Sequence, residues 1–360
     1  MNHPCTVALV EVAGSHDECL LSQLAALKER KRRVLMVCNK RIRDRNPHFN
    51  DYVDEWLEVD FVSKAWKDFM IVRRMMKEIK KRKVSHVVFN TAQGGIVRNA
   101  VLLSLFSKVK FIGIVHTIRK FQGSFTQKLI NWKIKNYFLL SDHLMKKVEA
   151  PKGIKLKAFY PLRFLIDKKL ENDQKLLQIT IIGGVENRRK DLDGFVEMLA
   201  KVETNVRFVF LGKSDPTSDE VKHFRQKLED QGLIDKVTLF EEFVSHEVFS
   251  KQLQQTDAIL PLIHPETESA EEYFNNQIAG AMIVAFSYKI PLLLHTAYES
   301  VVEMQTASIY YELPDFPEAL TKLAKHKNAI VENMKNHEPY QQEIQEASYA
   351  SFVLGDKSAK

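Results

Sequence analysis

No stretch of this 360-residue chain is apolar for the length of a membrane crossing. The nearest approach, residues 278–294, is broken by Lys289 and Pro291. The opening residues Met1-Asn2-His3-Pro4-Cys5 lack the basic and apolar regions of a signal peptide. A cytoplasmic protein is therefore expected, with attachment to the inner face of the plasma membrane left open. Cysteine is scarce. Cys5, Cys19 and Cys38 are too few for a disulfide framework and follow no metal spacing. They fit a reducing compartment, where such residues serve as small buried hydrophobes. No His/Cys cluster has ligand spacing, and no metal is expected.

What is present is ordinary for a globular chain: 45% hydrophobic and 28% charged residues, at a length comfortable for two domains. The net charge of +7 suggests an anionic partner: nucleic acid, an acidic membrane face or a phosphorylated ligand. Its distribution is uneven. Basic runs at 28–33, 40–43 and 77–83, with Arg73, Arg74, Lys128, Lys133 and Lys135, crowd the first half. Such a half is either a docking surface or a set of solvated faces.

The stretch Leu177-Gln178-Ile179-Thr180-Ile181-Ile182-Gly183-Gly184-Val185-Glu186-Asn187-Arg188-Arg189-Lys190-Asp191 reads as a buried strand, a paired-glycine turn, a basic cluster and a helix opening at Asp191. Glycines let a backbone approach an anion, and a helix start adds free N–H groups and a positive dipole end. Three cations beside that turn suit a phosphate or diphosphate. An ordinary strand–turn–helix with surface arginines has the same pattern.

Short apolar strands alternate with helices along both halves, which predicts parallel sheets covered on both faces. In the first half, strands are expected at 6–10, 34–38, 84–89, 111–115 and 137–140, and helices at 16–29, 64–83 and 96–106. Ala150-Pro151-Lys152-Gly153, Tyr160-Pro161 and the polar run 167–175 read as the junction. In the second half, strands are expected at 179–182, 206–211, 237–240, 258–262, 290–294 and 308–311. Helices fall at 191–202, 218–231, 245–254, about 275–287, 298–304 and 315–336, followed by an amphipathic segment at 340–352.

The order of motifs in the second half resembles the donor-binding domain of retaining GT-B glycosyltransferases of family four and their relatives. It is carried by Gly183-Gly184 with Arg188, Arg189 and Lys190; by Phe208-Val209-Phe210-Leu211-Gly212-Lys213; and by Val237 through Val244. Thr256-Asp257-Ala258-Ile259-Leu260-Pro261, and Ala279-Gly280-Ala281-Met282 running on to Lys289-Ile290-Pro291, complete it. The likeness is good over residues 179–303 and looser before. It implies an α/β fold of two Rossmann-like domains with parallel sheets facing a central cleft. The expected domains are 1–160 for the acceptor and 161–336 for the nucleotide sugar, with 337–360 a helix returning to the first domain.

The resemblance also supplies roles. Gly184, Arg188, Arg189, Lys190 and Gly280 would meet the donor diphosphate, while Tyr273 and Asn276 would border the sugar. His116, in Ile114-Val115-His116-Thr117, and Glu272, from an acidic loop, would be catalytic. Gly14, His16 (of Gly14-Ser15-His16) and Asn90 would face the acceptor. The plainer readings are a strand-end histidine for His116, a helix-start residue for His16 and a solvated loop for the acids around Glu272. One departure matters. The Glu-x7-Glu pair typical of the family falls on Asn276 and Val284.

The implied activity is metal-independent hexosyl transfer from a nucleotide-diphosphate sugar, needing no cofactor beyond that donor, to a glycan or lipid-linked acceptor in surface polysaccharide synthesis. Cations and helix N–H groups would stabilise the leaving diphosphate. A GT-B nucleotide-sugar epimerase and a non-catalytic GT-B partner subunit stand as alternatives. Aromatics interleaved with lysines at 121–138 fit peripheral contact with an anionic membrane, or a helix packed on the sheet with a basic outer face. Nucleic-acid binding is not expected, because no binding module is recognisable.

Overall fold

The computed structural model describes residues 6–14, 16–62, 64–165, 176–202 and 205–356. They form two compact units. The first comprises Met1–Phe164 with Gln342–Lys360, and the second Leu165–Gln341.

The first unit alternates β1 (Thr6–Val10), α1 (Leu20–Glu29), β2 (Arg33–Cys38), α2 (Lys40–Arg45), β3 (Glu55–Glu58), α3 (Ala65–Lys81) and β4 (His86–Phe89). It continues through α4 (Gly94–Leu103), β5 (Lys110–Val115), α5 (Phe125–Ile130), β6 (Asn136–Leu139), α6 (Asp142–Lys147) and β7 (Lys155–Ala158). The sheet order is β3-β2-β1-β4-β5-β6-β7, parallel throughout. The central strands are apolar runs because both their faces are covered. One core joins Val72, Met75 and Ile79 of α3, Val97 and Val101 of α4, and Ile130 of α5 to one face of this sheet.

The second unit runs β8 (Leu177–Ile182), α7 (Leu192–Ala200), β9 (Val206–Lys213), α8 (Asp219–Asp230), β10 (Val237–Phe240), α9 (His246–Gln254) and β11 (Ala258–Ile259). Then follow α10 (Ala270–Asn275), α11 (Gly280–Tyr288), β12 (Leu292–His295), α12 (Val302–Gln305), β13 (Ser308–Tyr311) and α13 (Phe316–Asn336). Its parallel sheet is ordered β10-β9-β8-β11-β12-β13 around its own core. In each sheet the order reverses beside the first strand, at β1/β4 and at β8/β11. Doubly wound sheets leave a crevice at the strand carboxyl ends there.

Four expectations shift. Strands β3 and β7 were not expected, and β7 lies inside the stretch read as a junction. Both are edge strands, only partly buried, and so lack the continuous apolar run of central strands. The strand expected at 258–262 shortens to β11, because Pro261 has no N–H and Leu262 turns left-handed with φ 57°. The helix expected at about 275–287 begins only at Gly280, as α11, and a separate short helix that was not expected, α10, precedes it and ends at Asn275. The polar run 167–175 lies outside the described residues.

After the second unit the chain re-enters the first as α14 (Gln342–Leu354). Its Tyr349 ring stacks 4.8 Å from Phe138 and lies 4.7 Å from Phe159. Its Glu346 is buried and accepts two hydrogen bonds at 2.7 Å from the Arg163 guanidinium. Removing one partner of such a pair strands the other in low dielectric. Arg163→Ala is therefore expected to cost about 2–4 kcal/mol in urea unfolding of the first unit. The double replacement Arg163→Met with Glu346→Leu is expected to recover most of that loss.

Candidate functional site

Glu11 follows the apolar strand β1 directly and is 1% exposed. Its carboxylate accepts from Asn90 Nδ2 at 2.6 Å, Thr91 Oγ1 at 2.9 Å and the Ala13 amide at 2.5 Å. Asn90 and Thr91 leave the end of β4, the strand beside β1 at the reversal. Burial pushes the Glu11 carboxyl up, against the lowering effect of these bonds.

Asn90 is the hub. It is fully buried, accepts from Gln23 Nε2 at 2.6 Å, and donates to the His16 carbonyl at 2.9 Å. Its own carbonyl accepts from His116 Nε2 at 2.7 Å. That bond fixes the tautomer, with the proton on Nε2 and the lone pair on Nδ1. The His116 and His16 rings stack with centroids 3.9 Å apart. Burial first, then the neighbouring His16, pushes His116 down to about 4, so the ring is neutral at physiological pH. His16 sits in the left-handed region at φ 63° and is partly exposed, its Nδ1 3.3 Å from Glu18. Gly14 is left-handed too, with its carbonyl 3.3 Å from Arg45. A Cβ there would lie 2.8 Å from the Asn39 amide. Ser15 is outside the described residues. The four first-unit positions read from sequence (Gly14, His16, Asn90 and His116) thus meet at one rim. Glu11 and Gln23 were missed. The signal for Glu11 was a single acid closing an apolar strand.

In the second unit, β8 is followed directly by Gly183, left-handed with φ 91°. A Cβ on Gly184 would lie 1.9 Å from the Lys213 carbonyl, so only glycine lets this turn pass β9. Lys190 is 7% exposed, and its Nζ lies 3.2 Å from where a Gly183 Cβ would stand. The ammonium has no partner among the described residues, and burial pushes it down to about 8. Arg188 and Arg189 are exposed and share Glu186 at 3.4 and 3.2 Å. Such exposed pairs contribute little and are easily exchanged for another anion.

The break between α10 and α11 serves this rim. Ser269 donates its hydroxyl and its amide to the Arg188 carbonyl, at 2.5 and 3.1 Å. This ties the start of α10 to the basic turn. Tyr273 is half-buried, and burial pushes its hydroxyl up, against the pull of Arg189. Glu272 is partly buried on the same helix, and its carbonyl accepts from the Asn276 amide at 2.8 Å. Gly280 opens α11 with no side-chain cap and with clear space where a Cβ would project. The Gly280 and Ala281 amides are therefore open to an anion, while the Met282 amide is bonded to the Ala279 carbonyl at 3.0 Å. Val284, at the second position of the family's glutamate pair, is buried core, and Asn276 closes α10.

One Asp-x-Asp spacing occurs, Asp191-Leu192-Asp193, but its two carboxylates are otherwise engaged. Asp191 caps α7 through the Gly194 amide at 2.8 Å and holds His264 Nδ1 at 2.7 Å, while Asp193 pairs with Lys227 at 2.6 Å. The buried His264 reaches the Tyr311 hydroxyl at 2.7 Å. This Asp191–His264–Tyr311 chain, at the β8/β11 reversal, also escaped the sequence reading. Its signal was a histidine just past an apolar strand.

A neutral buried histidine makes a pH prediction. Between its ordinary value of 6.5 and about 4, unfolded His116 takes a proton that the folded ring refuses. Its contribution is full above 6.5 and is lost as pH falls through that window, by up to about 1.4 kcal/mol per pH unit. Urea unfolding at a series of pH values is expected to show a shallower acid slope for His116→Gln than for the parent chain.

No protein-family model and no curated protein matches this chain. Solved structures do match it. A glycosyltransferase from Rickettsia africae superposes with TM-score 0.70 at 11% identity, covering 99% of this chain and 100% of that one. The lipopolysaccharide outer core galactosyltransferase WaaB gives 0.62 at 12%, covering 98% and 100%. The UDP-GlcNAc 2-epimerase from Neisseria meningitidis, bound to UDP-GlcNAc, gives 0.62 at 13%, also covering 98% and 100%. At such identities the likeness speaks for the fold alone: two Rossmann-like domains of the GT-B class.

Proposed function

We propose that this chain is a glycosyltransferase that moves a hexose from a nucleotide-diphosphate sugar to a glycan or lipid-linked acceptor, with retention and without metal, in surface polysaccharide synthesis. The observation that carries the proposal is Lys190. A buried ammonium without a partner is costly, and it is held beside a paired-glycine turn. A diphosphate supplies the missing charge. Arg188 and Arg189 can leave Glu186 for the same group, while the Gly184 turn and the uncapped amides at Gly280 offer backbone donors. In this reading Tyr273 and Asn276 border the sugar, and Glu272 supplies a carboxylate in place of the family's pair.

On the other rim, His116, held by Asn90, presents an unprotonated Nδ1 suited to accept a hydrogen bond from an acceptor hydroxyl. His16 and Gly14 shape the approach. The protein's contribution to chemistry is chiefly electrostatic. Negative charge gathers on the departing diphosphate, and fixed cations and amides stabilise it more than they stabilise the ground state.

A second reading, a nucleotide-sugar epimerase, is favoured by the UDP-GlcNAc 2-epimerases among the superposed structures, which share the fold at similar TM-score. It differs by experiment: an epimerase converts the donor with no acceptor added. A non-catalytic partner subunit, suggested by Val284 where a glutamate is usual, would neither turn over nor hydrolyse the donor.

Thermal shift against UDP, GDP and their sugars is the direct test, because a ligand at one hundred times its dissociation constant adds about 2.7 kcal/mol. One nucleotide series is expected to raise the melting temperature, and Arg188→Ala with Arg189→Ala and Lys190→Ala to abolish the rise. Lys190 adds a pH signature. Its ammonium is charged below about 8 and increasingly neutral above. Nucleotide affinity is expected to weaken toward pH 9, by up to about tenfold per pH unit. Lys190→Met is expected to bind weakly with that dependence gone. Full affinity in Lys190→Met would sink the diphosphate assignment.

A further inference from the structure

Residues 62–135 contain seventeen lysines and arginines and only two acids, Asp68 and Glu78. The chain as a whole is only +7, so the remainder is net acidic. The two acids offset little of this charge, and only Glu78 does so at the surface, chiefly against Arg82. Asp68 is buried and accepts from the Val62 amide at 2.9 Å, while Glu78 is held by Arg82.

The same segment is rich in exposed large apolar side chains. Phe106 is fully exposed, Trp66 and Phe125 are each 73% exposed, and Trp132 is 58% exposed. Leu102 and Leu103, near the end of α4, are exposed as well. These side chains belong to one layer. α3 packs on α4 and α4 on α5, and all three cover the same sheet face. Lys133 donates to the Ser107 carbonyl, which brings the turn after α5 beside Phe106. Along α3, Arg73, Arg74 and Lys77 are exposed on the same helix as Trp66 and Met70.

A solvated basic face does not need exposed tryptophan, phenylalanine and leucine. A protein that neutralises nucleic-acid phosphates gains little from Leu102, Leu103 or Phe106. Aromatics and leucines among lysines fit a bilayer interface: apolar tips enter the acyl boundary while lysine and arginine heads meet anionic headgroups. We infer that the outer face of α3, α4 and α5 docks on an anionic lipid surface. The charge polarity and the exposed apolar groups select it independently of the transferase reading, since neither belongs to the two rims. Where that reading also holds, docking brings the first unit to a bilayer that can carry a lipid-linked acceptor.

Flotation with phosphatidylcholine vesicles, with and without phosphatidylglycerol, tests the inference on the full chain. Binding is expected only to the anionic vesicles and to fall with salt. Arg73→Ser, Arg74→Ser and Lys77→Ser together are expected to weaken it about a hundredfold, at about 1 kcal/mol per cation. Phe106→Ser with Trp132→Ser, and Trp66→Ser with Phe125→Ser, are each expected to weaken it about tenfold. All sites are exposed, so unchanged melting temperatures will certify folding. Absence of binding to anionic vesicles overturns the inference. So does binding that survives all four aromatic replacements. Tight, salt-sensitive binding of an oligonucleotide without any vesicle binding would assign the face to nucleic acid instead. The nucleotide thermal shift is scored separately, so either result can fail alone.

Discussion

Parallel pairing is the constraint from which the rest of this molecule follows. Two parallel strands cannot be joined by a tight turn, so each connection is a crossover, usually a helix laid on one sheet face. Every strand then ends at the same edge, in a loop that leads to a helix start. Where the strand order reverses, the crossovers leave on opposite faces and the loops part. In the first unit that place is β1/β4, and it holds Glu11 and Asn90. In the second it is β8/β11, and it holds the Gly183–Gly184 turn, Lys190 and the Asp191–His264 pair. The clusters lie where topology leaves room.

The two rims solve burial in opposite ways. In the first, the buried groups hold one another: Glu11 with Asn90 and Thr91, Asn90 with Gln23, and His116 Nε2 with the Asn90 carbonyl. Such a network is rigid, and its titratable members lean toward their neutral forms. In the second, the Lys190 ammonium is buried with no hydrogen-bond or ion-pair partner among the described residues, Glu186 and Glu220 acting on it only from farther off, and α11 begins without a side-chain cap. One rim holds itself together through side-chain and backbone hydrogen bonds. The other keeps a buried cation and an uncapped helix start without close partners, which is the feature on which the proposed diphosphate site rests.

Sequence made the alternation and the buried strands legible because a strand covered on both faces must be apolar along its whole length. It hid β3 and β7 for the same reason, since an edge strand is half-solvated and reads as loop. The basic turn was legible from Gly183, Gly184 and the cations after them. What sequence does not distinguish is the division of labour among those cations. Lys190 goes inward while Arg188 and Arg189 stay in solvent, a difference set by the helical turn after Glu186 and not by residue type. Glu11 gave only the signal of an acid closing an apolar strand, because its side-chain partners lie 79 and 80 residues away. His264 gave only the signal of a histidine past an apolar strand, because Asp191 and Tyr311 lie 73 and 47 residues away. The missing glutamate pair was legible, and Val284 shows why no carboxylate could serve there: the position faces core.

The returning helix completes the first rim. Tyr349 donates its hydroxyl to Gln23 Oε1 at 2.9 Å, and the Gln23 amide in turn donates to Asn90 Oδ1 at 2.6 Å. Gln23 can bond both only with its amide in one orientation. That orientation fixes the Asn90 side chain, which leaves its amide hydrogens for Glu11 and the His16 carbonyl. The left-handed turn at His16 is held by this last bond, and the ring stack on His116 follows from it. A residue 326 positions from Gln23 thus helps set the geometry of a rim it does not touch. The chain's detour through a whole second unit before α14 is what closes this loop. A segment that looks like a terminal buttress is part of the polar framework of the candidate site.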